Sequence, residues 1–105
     1  MDNFVVCLST IDSEKEALKI AKALVEAHLA ACVNIIPKVT SVYEWKGEIC
    51  EETEVLLVIK TQQARLKELK ATLEDLHPYE VPELIALPIT DGLPDYLGWL
   101  LANTK

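Results

Sequence analysis

Between Cys32 and Lys60 the chain offers two long β-type runs with one break between them, Lys46-Gly47. The first run carries Val33, Ile35, Ile36, Val39, Val42, Tyr43 and Trp45. The second extends from Glu48 to about Lys60. A Lys-Gly pair between two such runs predicts a hairpin. A strand of about 13 residues spans roughly 43 Å at about 3.3 Å per residue. A chain of 105 residues folds into a domain only about 33 Å across, from a radius of gyration near 13 Å. The hairpin must therefore overhang its own domain. An overhang bearing Tyr43, Trp45 and Ile49 invites strand pairing with another chain. Homo-oligomerisation is the expected resolution, with Tyr43 and Trp45 at the interface.

The remaining segments arrange themselves around this hairpin. Asn3–Ser9 is a short uncharged β-rich run, which predicts a buried strand. Ser13 followed by Glu16 matches a capping box. Ala17, Ile20, Ala21 and Leu24 repeat at helical spacing, so a helix is expected over Glu14–His28. Pro37 cannot donate to a ladder, and a bulge or edge position is expected there. Thr61 is positioned to cap a second helix with a stripe of Leu66, Leu69, Leu73 and Leu76. Pro78 ends that helix near His77. Glu83–Ile89 predicts a last strand and Asp95–Ala102 a closing helix. The order is βαββαβ plus a C-terminal helix: an α+β, ferredoxin-like antiparallel sheet in one domain over 1–105. Val55–Ile59 is apolar on both faces, so the face away from the helices needs a cover. The terminal helix can supply part of it.

Charge narrows the partners. Ten Lys and Arg against 17 Asp and Glu leave a net charge of −7. Such a chain repels nucleic-acid backbones and anionic membranes, and suits cations, small molecules or proteins. No apolar run approaches the ~20 residues of a membrane span, and no basic leader opens the chain. The three cysteines, Cys7, Cys32 and Cys50, form no CxxC pair. Free thiols in a reducing, cytoplasmic setting are expected.

Catalytic groups are sparse. No phosphate-binding glycine loop is present, and acid, base and nucleophile converge in no motif, so no enzymatic activity is expected. His28 reads as a helix-end residue. His77 belongs to His77-Pro78-Tyr79-Glu80-Val81-Pro82-Glu83, where two prolines stiffen a loop that gathers an imidazole, a phenol and carboxylates. Cys7 and Cys32 read as packed residues, whereas Cys50 sits in an acidic run, Glu48 to Glu54. That run reads as a solvated edge that could assist a cation.

Five stretches together resemble the divalent-cation tolerance (CutA) family. They are Leu29–Pro37, Thr40–Gly47, Glu54–Thr61, His77–Glu83 and Asp95–Leu100. The resemblance implies a homotrimer built by edge-to-edge strand pairing, architectural kinship with the PII signalling proteins, and a role in tolerance of copper or other divalent cations. It implies no organic cofactor. It also implies a copper site with a cysteine at the end of the first strand and a His-His pair before Pro78. Here those positions are Ser9 and Leu76-His77. Of that site only His77 remains; with Cys50 of the acidic run it makes up the metal candidates, with weak or conditional binding. The alternative implied by the PII kinship is an intersubunit cleft for a small anion, using Lys60, His77, Tyr79 and Glu80.

Overall fold

The computed structural model describes residues 3–105. Strand β1 (Phe4–Ile11) leads into helix α1 (Glu14–Glu26), followed by the long strands β2 (Cys32–Trp45) and β3 (Glu48–Gln62). Helix α2 (Leu66–Leu76), strand β4 (Ile85–Ile89) and helix α3 (Pro94–Ala102) complete the order. The sheet order is β2-β3-β1-β4 with every neighbouring pair antiparallel. This is the βαββαβ arrangement with a C-terminal helix that the sequence pattern predicts.

Side-chain alternation divides the sheet into two faces. Val5, Cys7, Ser9 and Ile11 of β1 and Val55, Leu57, Ile59 and Thr61 of β3 are buried. With Ala17, Ile20 and Leu24 of α1 and Leu69 and Leu73 of α2, the apolar members form one core. The alternate residues, Phe4, Val6, Leu8, Leu56 and Val58, are only half-buried. On that second face α3 lies over the far end of β3. Gln62 Nε2 donates to Thr104 O at 3.0 Å, and Lys60 Nζ stands 6.0 Å from the Tyr96 ring centre. The helix covers part of the face and no more: Ile36, Ile85 and Leu87 remain 44–52% exposed.

The overhang is present. Lys46 and Gly47 take φ of 50° and 82°, the positive values that tight two-residue hairpin turns require. The molecule is 44 Å along its long axis but 25 and 22 Å along the others. β1 pairs with β3 only over Val55–Gln62. From Glu48 to Glu54, β3 has β2 as its sole strand neighbour. The register slips between Ile36 and Val39, where Pro37 sits and Lys38 takes φ of 62°. That is the bulge expected at a residue with no amide proton.

Several local details differ from expectation. Helix α1 stops at Glu26 because His28 enters the left-handed region (φ 58°). Leu29 N then bonds Leu24 O and His28 N bonds Val25 O, a Schellman closure. The His28 ring reaches Asn103 O on the closing helix. Thr61 does not cap α2. It remains in β3, and its buried hydroxyl donates to Leu29 O at 2.7 Å, while a 3-10 turn, Gln63–Arg65, starts the helical segment. Ser13 caps as expected, accepting from Glu16 N at 3.2 Å. The last strand begins at Ile85, two residues after Glu83.

Cys7 reports on this core. It is fully buried, and burial pushes its thiol up to about 11. A thiol held protonated and out of solvent is a poor nucleophile. Iodoacetamide at pH 8 should leave Cys7 unmodified in the native protein and alkylate it after unfolding, as read by peptide mapping. Modification of native Cys7 at the unfolded rate would mean that the β1 core is open.

Candidate functional site

The overhanging half of the hairpin bends over the end of β1 and the loop after α2. Between them lies a cleft of about 670 Å³. Thr10 and Asp12 form its floor. Ser41, Val42, Tyr43, Trp45, Glu52 and Glu54 come from the hairpin, and Tyr79, Glu80, Val81 and Glu83 from the loop. Five carboxylates therefore line it, with no lysine or arginine among them.

His77 builds the loop wall. The residue is 7% exposed. Tyr79 N–H lies 3.1 Å from Nδ1 and can only donate, so Nδ1 accepts. Nε2 then carries the proton and donates to Thr10 O at 2.8 Å. The ring thus ties the loop to β1 with both nitrogens. It also meets the Tyr79 ring edge-on, with centres 4.6 Å apart. Tyr79 continues the chain of contacts: its hydroxyl donates to Glu54 Oε2 at 2.6 Å. Thr10 Oγ1 donates to Glu83 Oε1 at 3.3 Å and closes the loop's other end. The two prolines limit the loop's freedom before these bonds form.

The sequence-nominated residues separate into groups. Tyr79 and Glu80 line one cleft, with Tyr43 and Trp45 opposite. His77 does not line it and instead holds Tyr79 in place. Lys60 does not join them. It lies four residues along β3 from Leu56, the partner of Thr10, which places it roughly 13 Å away, beside Tyr96. Within the chain the anion site is therefore not assembled. Cys50 faces Tyr43 across the hairpin, its Sγ 3.8 Å from Glu48 O. Among the described residues no three His, Cys, Asp or Glu side chains converge well enough to hold a metal ion.

The copper positions do not fit a tight copper site. Both His77 nitrogens are engaged. Ser9 is fully buried on the helix side of β1, and its hydroxyl has no partner. Leu76 brings no donor atom. A hydroxyl is in any case a poor ligand for soft Cu(I).

Sequence reasoning missed Asp12, and it misplaced Glu54. The acidic run was expected to be solvated throughout, yet Glu54 is 5% exposed. Glu54 is the last of the run, next to the apolar Val55, and the returning Tyr79 loop covers it. Adjacency to the apolar half of the strand was the available signal.

The Tyr79–Glu54 bond has a measurable consequence. The Tyr79 phenol is raised above its ordinary 10.0 by burial first, then by the hydrogen bond to Glu54 and by the nearby charges of Glu54, Asp12 and Glu52. The folded state therefore holds this proton more tightly than the unfolded chain does. Its contribution to stability is full below about pH 10 and is lost as pH rises above that. Tyr79→Phe should lower stability at pH 7 by about 1–3 kcal/mol by leaving Glu54 Oε2 unpaired. It should also flatten the alkaline fall in the unfolding midpoint. An unchanged alkaline profile would exclude this bond as a stabilising contact.

Comparison with known proteins places this geometry. Residues 5–103 match the sequence profile of the family described as CutA1 divalent ion tolerance protein. The Divalent-cation tolerance protein CutA of Thermus thermophilus is 54% identical over 94% of this chain and 96% of its own length. Protein CutA of Mus musculus is 53% identical over 97% of this chain, which spans only 55% of the mouse protein. The crystal structure of CutA1 from Oryza sativa superimposes with a TM-score of 0.95 at 39% identity, over 98% of this chain and 94% of that one. With residues 5–103 matching the family profile and the whole fold superimposing on a solved member, the chain belongs to the CutA1 divalent ion tolerance family.

Proposed function

We propose that the protein is a cytoplasmic homotrimer that serves in tolerance of divalent metal ions, copper among them, by binding rather than by catalysis. The observation that carries this reading is the match to the family over residues 5–103. The overhanging hairpin and the half-covered sheet face support the assembly. Both outer strands, β2 and β4, leave an edge unpaired in the subunit, and a long open edge is a template for another chain. Tyr43 and Trp45 remain 38% and 41% exposed, so area is left for a neighbour to bury. The three unpaired thiols support a reducing compartment.

Cation binding in this proposal is weak and conditional. A divalent cation reaches His77 only by displacing a backbone bond, because both ring nitrogens are already used. Cys50 offers a separate thiol site. The acidic cleft adds general attraction for cations without converging on one ion. A PII-like anion site is the weaker alternative, since the cleft beside Tyr79 and Glu80 is lined by five carboxylates and Lys60 lies elsewhere in the subunit.

Size exclusion with light scattering should return about 35 kDa, three chains of 11.7 kDa. Trp45→Ala should loosen the particle and lower its unfolding temperature, since truncating a buried aromatic costs about 3–5 kcal/mol. A monomer of 11.7 kDa at all concentrations, with Trp45 fluorescence freely quenched by iodide, would refute the assembly. Calorimetry with Cu(II) and Zn(II) should show about micromolar or weaker affinity, Cu(II) the tighter. His77→Ala should alter the loop-associated binding and Cys50→Ser the thiol-dependent part. Nanomolar Cu(II) affinity that survives His77→Ala would put the ligands elsewhere.

A further inference from the structure

The link between β4 and α3 is Thr90-Asp91-Gly92-Leu93. It contains the chain's only Asp-Gly pair. Glycine leaves the amide after an aspartate unhindered, since no Cβ stands beside the nitrogen. Both residues are exposed and belong to no helix or strand. Gly92 N–H donates to Asp91 Oδ1 at 2.8 Å, and among the described residues it has no other hydrogen-bond partner. The Asp91 side chain is therefore turned onto its own following amide. The carboxyl group and the nitrogen that can attack it face each other, and a pair held in that orientation needs little further ordering to react.

The other described aspartates lack this setting. Asp75 and Asp95 lie in α2 and α3, where regular helical dihedrals hold the backbone out of ring-closing geometry. Asp12 is exposed, but Ser13 follows it, and the serine Cβ crowds the amide. The surroundings of Gly92 add a consequence. A Cβ there would lie 3.0 Å from Leu97 Cδ2 and 3.1 Å from Leu97 Cγ, so the main chain rests directly on a side chain of α3. Both ends of the link are fixed: Ile89 is paired with Phe4 in the sheet, and Pro94 opens α3. The helix in turn is held by its buried Leu100 and by the Gln62–Thr104 bond.

From the exposed Asp-Gly pair, the carboxyl turned onto its own next amide and the close seat of Gly92 on Leu97, we infer that Asp91 is a site of spontaneous isoaspartate formation that loosens α3. Gly92 N attacks Cγ of Asp91 in its carboxylic acid form. The N–Cγ bond forms and a Cγ–O bond breaks. The amide proton leaves with the hydroxyl as water, and a five-membered succinimide remains. Water then adds to the ring. Opening at Cγ restores aspartate. Opening at the main-chain carbonyl leaves the chain running through Cβ and Cγ, with the former carbonyl as a free carboxylate. The water lost is regained, so the product is an isomer and no co-reactant is needed. The link gains one backbone carbon, about 1.5 Å of contour, and can no longer seat Gly92 on Leu97 while joining Ile89 to Pro94. The inference is independent of the metal and anion readings.

The test is incubation of the intact protein for weeks at about pH 6 and about 37 °C in water enriched in heavy oxygen. Peptide mapping follows, with a protease that cuts at aspartate and not at isoaspartate. Asp91 should convert with uptake of heavy oxygen, and Asp12 should convert at least about tenfold more slowly. The native protein should convert Asp91 at least as fast as the same chain unfolded in urea. Asp91→Glu keeps the charge but would have to close a six-membered ring, and it should abolish conversion at this position. Hydrogen exchange of the converted fraction should be faster over Pro94–Ala102 and unchanged over α1. No conversion of Asp91, or slower conversion in the native protein than in urea, overturns the proposal, because the fold would then protect the pair. So does unchanged exchange of α3 after conversion, or equal loosening of α3 in aged Asp91→Glu protein.

Discussion

Strand β3 is about twice as long as the core that can cover it. Fifteen of its residues are in strand geometry, but β1 reaches only the half from Val55 onward. That mismatch determines much of the rest. The covered half is buried on its helix side by Leu57 and Ile59 and partly covered on its other side, so it needs both α1–α2 and a further surface. The uncovered half projects, carrying Tyr43, Trp45 and Ile49 with it. The hairpin cannot withdraw into the domain, because its register is held on both sides of the Pro37 bulge and a one-residue slip would invert every side chain. A projecting ribbon of two strands is marginal on its own in water. Within the chain, contact with the His77–Glu83 loop, through the Tyr79–Glu54 hydrogen bond, is what supports it.

The loop is rigid enough to serve as that contact because one imidazole does two structural jobs. His77 accepts from Tyr79 N and donates to Thr10 O, joining the loop to the strand it crosses. The phenol of Tyr79 then reaches Glu54 at the base of the overhang. Loop, β1 and hairpin are linked through a short series of directed bonds in a largely buried setting, where such bonds are stronger than in water. The same linkage explains why the residue best suited by type to coordinate a metal is poorly placed to do so. A ligand nitrogen needs a free lone pair, and here the lone pair holds the loop.

The architecture was legible because period and punctuation agreed. The stripe Leu66–Leu76, the capping Ser13, the Lys46-Gly47 break and the run of β-branched residues each pointed to one structure, and the ferredoxin-like order follows from them. Thr61 failed as a cap because a competing acceptor, Leu29 O, was brought beside it by tertiary packing. No local pattern encodes that. The site was half legible. The His77–Glu83 loop stood out through its prolines and titratable groups. Membership in the cleft was harder to read, since it depends on how far the hairpin leans over β1. Lys60 and Glu54 share a strand and a face, yet they serve opposite ends of the sheet. Spacing along a strand says nothing about which end a distant loop will cover.

Charge on the overhang completes the account. Glu48, Glu51 and Glu52 face Trp45, Val42 and Ser41 across the hairpin, so no carboxylate is set directly against another, and none gains a lysine. The one ion pair at the tip, Lys46 with Glu80, is exposed on both sides, and pairs of that kind contribute little. The lysines of the chain lie mostly elsewhere, Lys15, Lys19 and Lys22 on the outer face of α1. The chain thus concentrates negative charge on its least supported element. Self-repulsion there opposes folding of the overhang, and the opposition is relieved only by something positive or by a surface that buries the ribbon. The same hairpin carries cleft carboxylates and the open edge of β2, so a cation held there and a surface laid against it would each act on the same element.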